Sequence, residues 1–189
     1  MKGPLYVLSQ RNDKTGKGAE ILFPRQLEAD GTADALRHTL FERTTKLRPD
    51  VESDIPLIYP DGILEDALQK AALARRIVYG YDDIEKELFN EERGIDAASR
   101  RSASPRRKRI SRLILCSRDG SGRFYRRIER LLQLYSARVL VCLVDCDADA
   151  FGRILTGRER RIKVVLVEHK DAVSAIFRVL ALRTRTDFP

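Results

Sequence analysis

The chain has no tryptophan, one methionine and only three cysteines in 189 residues. Cys116, Cys142 and Cys146 are odd in number, sit in or beside apolar runs, and show no paired C-x-x-C spacing. That excludes a disulfide framework and argues against a structural zinc knuckle. We expect three small packing residues in a reducing compartment. Histidine is equally scarce: His38 and His169 are far apart, which leaves no support for a Ser/His/Asp or Cys/His nucleophile. No apolar run approaches the ~18 residues that a membrane span needs, and the N-terminal residues MKGPLYVLSQRND lack the apolar stretch of a secretory leader. The expectation is an intracellular protein with no membrane partner. An apolar fraction of 43% is ample for a packed core.

What the chain has in excess is positive charge, concentrated in one window. Lys and Arg number 36 against 28 Asp and Glu, a net charge of +8. Between residues 100 and 130 lie Arg100, Arg101, Arg106, Arg107, Lys108, Arg109, Arg112, Arg118, Arg123, Arg126, Arg127 and Arg130, opposed only by Asp119 and Glu129. Those twelve bases and two acids give the window +10, so the rest of the chain carries −2. Such concentration repels itself unless an anion lies against it, and the planar arginine fork suits phosphate. Nucleic acid is the natural partner. A solvated loop, or a nuclear address at Pro105-Arg106-Arg107-Lys108-Arg109, is the plainer reading of the same charges.

The pattern divides near residue 75. Residues 1–75 read as a small, mostly helical appendage. It holds a short strand at Leu5 to Leu8, a polar turn through Gly16-Lys17-Gly18 without P-loop spacing, and a helix with Ala33, Leu36, Leu40 and Phe41 on one face. A Pro-rich separator from Pro49 to Pro60 follows, then a helix from Gly62 to Arg75 carrying Ile63, Leu64, Leu68 and Leu73. Residues 76–189 alternate apolar runs with amphipathic helices. The expected strands are 76–79, 110–116, 139–144 and 162–167, and the expected helices are 82–93, one ending near Tyr135, a short one at 151–155, and 172–182. Apolar strands separated by helices predict an α/β domain with about four parallel strands, a Rossmann-like sheet flanked by helices. The Ser- and Arg-rich segment 97–109 reads as a flexible basic loop, with Ser102 and Ser104 as candidate phosphorylation sites. The helix ending at Tyr135 is the clearest amphipathic element: Phe124, Ile128, Leu131, Leu132 and Tyr135 share one face, and Arg123, Arg126, Arg127 and Arg130 another. Tyr125 reads as packing or surface.

Ligands of open parallel sheets collect at the carboxyl ends of the strands. The run Val139 to Val144 ends in Asp145-Cys146-Asp147-Ala148-Asp149. Strand alternation would set Asp145 and Asp147 on one side, a carboxylate pair that a hard cation such as Mg²⁺ would neutralise. The plainer reading is an Asp that caps the next helix. Asp119-Gly120-Ser121-Gly122 follows the preceding strand, and Gly120, Ser121 and Gly122 form a candidate anion-binding turn at a helix start.

Three segments together resemble a Toprim domain, in particular that of the topoisomerase VI A subunit and its meiotic double-strand-break relative. They are Ile84-Glu85-Lys86-Glu87-Leu88-Phe89, Ser117-Arg118-Asp119-Gly120-Ser121-Gly122, and Leu143-Val144-Asp145-Cys146-Asp147, within residues 76–160. The resemblance implies a Toprim-like fold, DNA rather than RNA as partner, and Mg²⁺ held by Glu85, Asp145 and Asp147. The chain departs from the family at Ala148, where the family favours Pro, and at Glu85, which stands several residues beyond its strand. Tyr59, Tyr79 and Tyr81 carry no mark of the family's cleavage nucleophile, so no catalytic residue is assigned. The expected function is a nucleic-acid-binding Toprim-like domain acting with Mg²⁺ on phosphodiesters. The alternative is a non-catalytic subunit of a nucleoprotein assembly with other protein subunits, and a third reading is a doubly wound domain holding a small phosphorylated ligand at the Gly120 turn.

Overall fold

A computed structural model of the chain describes residues 21–50, 54–102 and 109–183. The expected strand at Leu5 to Leu8, the Gly16-Lys17-Gly18 turn, Ser104, and Arg106, Arg107 and Lys108 of the basic loop lie outside them. The protein is α/β, with a mixed six-stranded sheet between two layers of helices. In chain order the elements are α1 (Arg25–Ala29), α2 (Thr32–Glu42), β1 (Thr44–Lys46), β2 (Asp54–Ile58), α3 (Gly62–Leu73), β3 (Ile77–Tyr79), α4 (Tyr81–Ser102), β4 (Arg112–Ser117), α5 (Gly122–Tyr135), β5 (Val139–Val144), α6 (Ala148–Thr156), β6 (Val164–Val167) and α7 (Lys170–Ala181). The sheet order is β1-β2-β5-β4-β6-β3. β2, β5 and β4 run parallel, whereas β6 is antiparallel to both β4 and β3, and β1 is antiparallel to β2.

The four expected strands fall where the apolar runs place them, but the all-parallel sheet is corrected. The reversal of β6 has a local cause. A parallel crossover needs a helix long enough to carry the chain back across the sheet, and α6 has only 9 residues, ~13 Å of rise. It stops at Gly157, in the left-handed region at φ 66°. The following segment then runs back beside α6: Ile162 N–H donates to the Ala148 carbonyl at 2.9 Å. β6 therefore enters from the edge where β5 ended. Gly152 is what lets that segment lie so close, because a Cβ there would stand 1.4 Å from the Arg160 carbonyl oxygen.

Residues 21–75, expected as a helical appendage, carry β1 and β2 in this same sheet. Leu57 and Ile58 pair with Leu143 and Val144. The Pro-rich stretch hides this strand, because Pro56 cannot donate to a ladder; it lies opposite Thr44 of the three-residue edge strand β1. Strand alternation sends Leu113 and Leu115 of β4 into one core and Ile114 and Cys116 into the other. The first core is covered by α1, α2, α3, α6 and α7, with Phe23 edge-on to Phe177 at 5.4 Å. The second is covered by α4 and α5. α3 buries Leu64, Leu68 and Ala71, whereas Ile63 and Leu73 of its expected apolar face are exposed. No helix among the described residues is long and apolar enough to cross a membrane.

Candidate functional site

The parallel strands end at one edge, and the expected acids collect there only in part. Asp145 follows β5; its N–H donates to Ile58 at 2.8 Å, and its carboxylate pairs with Arg118 from the end of β4. Asp147 is the N-cap of α6, accepting the Ala150 N–H at 2.7 Å. Asp119 accepts from the Ser117 hydroxyl at 2.7 Å and from Arg161 at 3.0 Å, and Arg161 also approaches Asp149 at 3.8 Å. Burial pushes the Asp119 carboxyl up, but the Ser117 hydroxyl, its own backbone N–H, Arg161 and Lys163 outweigh this and hold it below its ordinary value. Arg161 is absent from the sequence reading, because only a reversed β6 brings the segment before it to this edge.

Glu85 does not join them. It lies one turn into α4, accepting a hydrogen bond from the Tyr81 hydroxyl at 3.1 Å. α4 follows β3, and three strand spacings separate β3 from β5, ~14 Å across the sheet. Among the described residues no three His, Cys, Asp or Glu side chains come together as a group able to hold a metal ion. The set Glu85, Asp145 and Asp147 is thus divided, its acids committed to a tyrosine, an arginine and a helix cap. As they stand these residues do not fit Mg²⁺.

The glycine turn is likewise occupied by its own chain. Gly120 N–H donates to the Tyr125 hydroxyl at 3.0 Å, and that hydroxyl donates to the Ser117 carbonyl at 2.9 Å. A Cβ at Gly120 would meet the Phe124 and Tyr125 rings at 2.4 and 2.7 Å, so glycine is required by ring packing. Ser121 caps α5 through the Phe124 N–H at 3.2 Å, and Gly122 is the first residue of that helix. Tyr125, buried, is therefore a packing residue that locks the turn.

Cys146 stands beside this edge, half-buried, its thiol pushed up to about 12 by burial and by Asp147, Asp145 and Asp119. Cys116 and Cys142 are fully buried. A thiol with such a value holds roughly a thousandfold less thiolate at pH 8 than a free cysteine. All three cysteines should therefore resist iodoacetamide at pH 8 in the folded protein and react once it is unfolded, as read by intact mass.

The arginines divide into two populations. Most are tied to carboxylates or carbonyls. Arg112 and Arg138 share Glu91, Arg48 meets Glu129 at 3.2 Å, and Arg37 meets Glu28 at 2.8 Å. Arg109 donates to the Phe23 carbonyl at 3.0 Å. Arg127 pairs with Asp82 and lies 3.6 Å over the Tyr81 ring. On the outward face of α5, by contrast, Arg123, Arg126 and Arg130 are exposed and form no ion pair with any described residue; Arg126 reaches only the Gly122 carbonyl. The one acid of α5, Glu129, turns inward to Arg48.

α4 follows the edge strand β3 and α5 follows β4, and both cover the same side of the sheet. Arg127 of α5 pairs with Asp82 of α4, and Arg138, between α5 and β5, pairs with Glu92 of α4 at 3.2 Å. Residues 97–102, expected as the start of a flexible basic loop, instead continue α4, so Arg100 and Arg101 sit in its last turn, exposed, with Arg101 donating to the Ala97 carbonyl.

No family model matches the chain, and no curated protein matches it. Among solved structures, a protein with unknown function from Bacillus halodurans is similar at 18% identity and a TM-score of 0.41, with 62% of this chain and 98% of that chain covered.

Proposed function

We propose that the protein binds nucleic acid through the outward face of α5, extended by the last turn of α4, and acts as a binding module rather than a phosphodiesterase. One observation carries this reading: three neighbouring arginines on one helix face stand exposed without an ion pair to any described residue, while the single acid of that helix points inward to Arg48. Like charges at i, i+3 and i+4 repel in the free protein, and a phosphate backbone relieves that repulsion. DNA is preferred over RNA by the Toprim resemblance alone. The reading needs neither Mg²⁺ nor a nucleophile, which makes a subunit of a nucleoprotein assembly its natural setting.

The test is fluorescence anisotropy with a labelled 20-base-pair duplex of arbitrary sequence across a salt series. The three α5 contacts alone give a slope of about −3 in log affinity against log salt, and those from the end of α4 steepen it, so affinity falls at least roughly 50-fold between 50 and 200 mM salt. A change smaller than about twofold contradicts phosphate contact by these arginines.

A further inference from the structure

α3 presents to solvent a stripe that is complementary to itself. Its exposed residues are Gly62, Ile63, Asp66, Lys70 and Leu73, followed by Ala74 just past the helix end. Ile63 and Leu73 are 68% and 85% exposed, an unusual state for large apolar side chains on a helix whose other side is core. These residues are arranged symmetrically about the buried Leu68. Asp66 and Lys70 stand two positions either side of it, Ile63 and Leu73 five, and Gly62 and Ala74 six. Beside the stripe runs a groove of about 500 Å³ between α3 and α7, floored by Ala67, Ala71, Ala172 and Ala175. Its charged members also balance, Asp66 and Asp171 against Lys70 and Arg76.

From this arrangement we infer that α3 is the interface of a two-fold homodimer, in which the α3 helices of two copies lie antiparallel and cross at Leu68. Antiparallel pairing about that point sets Asp66 against the second copy's Lys70, twice, and Ile63 against the second copy's Leu73, twice. The small residues at both ends and along the groove allow the helix axes to approach and the apolar side chains to enter the groove. Charge singles out the occupant. A chain with net charge +8 repels its own copies over most of its surface, whereas this face has no net charge and offers each side chain its opposite. A foreign acidic or basic partner would find half the charges wrong. Because α3 and α5 lie on opposite sides of the sheet, the dimer leaves both arginine faces turned outward. The inference does not depend on what those faces bind.

Charge exchange provides the test, read by sedimentation velocity of the full chain over roughly 1 to 100 µM. The native chain is expected to show a dimer of 21.6 kDa protomers that dissociates on dilution. Asp66→Lys and Lys70→Asp should each weaken it about tenfold or more by setting like charges together twice, and Asp66→Lys/Lys70→Asp should restore it to within about threefold. Both positions are exposed, so circular dichroism should show all three variants folded. A native chain that stays monomeric, as it would if this face served a different protein, overturns the inference. So does a dimer indifferent to the single exchanges, or one that the double exchange fails to restore.

Discussion

Replacing Arg138 with methionine is expected to cost about 3 kcal/mol of stability, the scale for removing one partner of a buried ion pair. Arg138 is 8% exposed at the amino end of β5, where its guanidinium meets Glu91 and Glu92 and donates to the Leu88 carbonyl at 3.0 Å. Methionine keeps the apolar stem but leaves Glu92 without this partner, removes the extra hydrogen bond that the Leu88 carbonyl accepts beside its helical one, and leaves Glu91 with Arg112 alone. For a chain of this size the loss lowers the thermal midpoint by roughly 6 to 12 °C. Arg158→Met, at an exposed position, should stay within about 0.5 kcal/mol. Scanning calorimetry on the two variants separates them. Equal midpoints would mean that the α4 clamp on β4 and β5 contributes nothing.

Gly152→Ala is the second large effect. The added methyl would lie 1.4 Å from the Arg160 carbonyl oxygen, and the obstacle is backbone, so no rotamer change relieves it. Either α6 or the segment leading to β6 must move, against Phe151 and Leu155, which are buried in the core. Overpacking of this kind costs about 3 kcal/mol, at the upper end of its range. Because the displaced segment carries Arg161 to Asp119 and Asp149, Gly152→Ala should also loosen the carboxyl edge of the sheet, seen as faster amide exchange at residues 117–120. Exchange there unchanged from the native protein would show that the segment accommodates the methyl without moving.

The division between what was legible and what was not follows from range. Apolar runs mark β3, β4, β5 and β6 within two residues, and for β4, β5 and β6 the reason is that a strand buried on both faces is a local compositional signal. The direction of β6 is set by the shortness of α6 and the reversal at Gly157, and the apolar run reads the same in either direction. β2 was hidden by Pro56, a residue that normally argues against a strand. At the site, the spacing of Arg123, Arg126, Arg127 and Arg130 placed them together on the outer face of α5, where the structure has them. The basic run was overcounted, because Arg112, Arg118 and Arg127 find their acids 21, 27 and 45 residues away. Such pairs leave no trace in local spacing. The plainer sequence reading of Asp147, a helix cap, is the one its geometry shows.

The central claim is that the unpaired face of α5 contacts phosphate, and Arg123→Gln/Arg126→Gln/Arg130→Gln tests it most directly. Glutamine keeps the length and helix propensity of the side chains while removing charge that forms no ion pair with any described residue, so the midpoint of unfolding should move by less than about 2 °C. Measured by anisotropy against the labelled duplex, the variant should lose about 100-fold in affinity at low salt, and its salt slope should become shallower by about 3. A variant that remains folded and binds with the native affinity and the native slope would contradict the account.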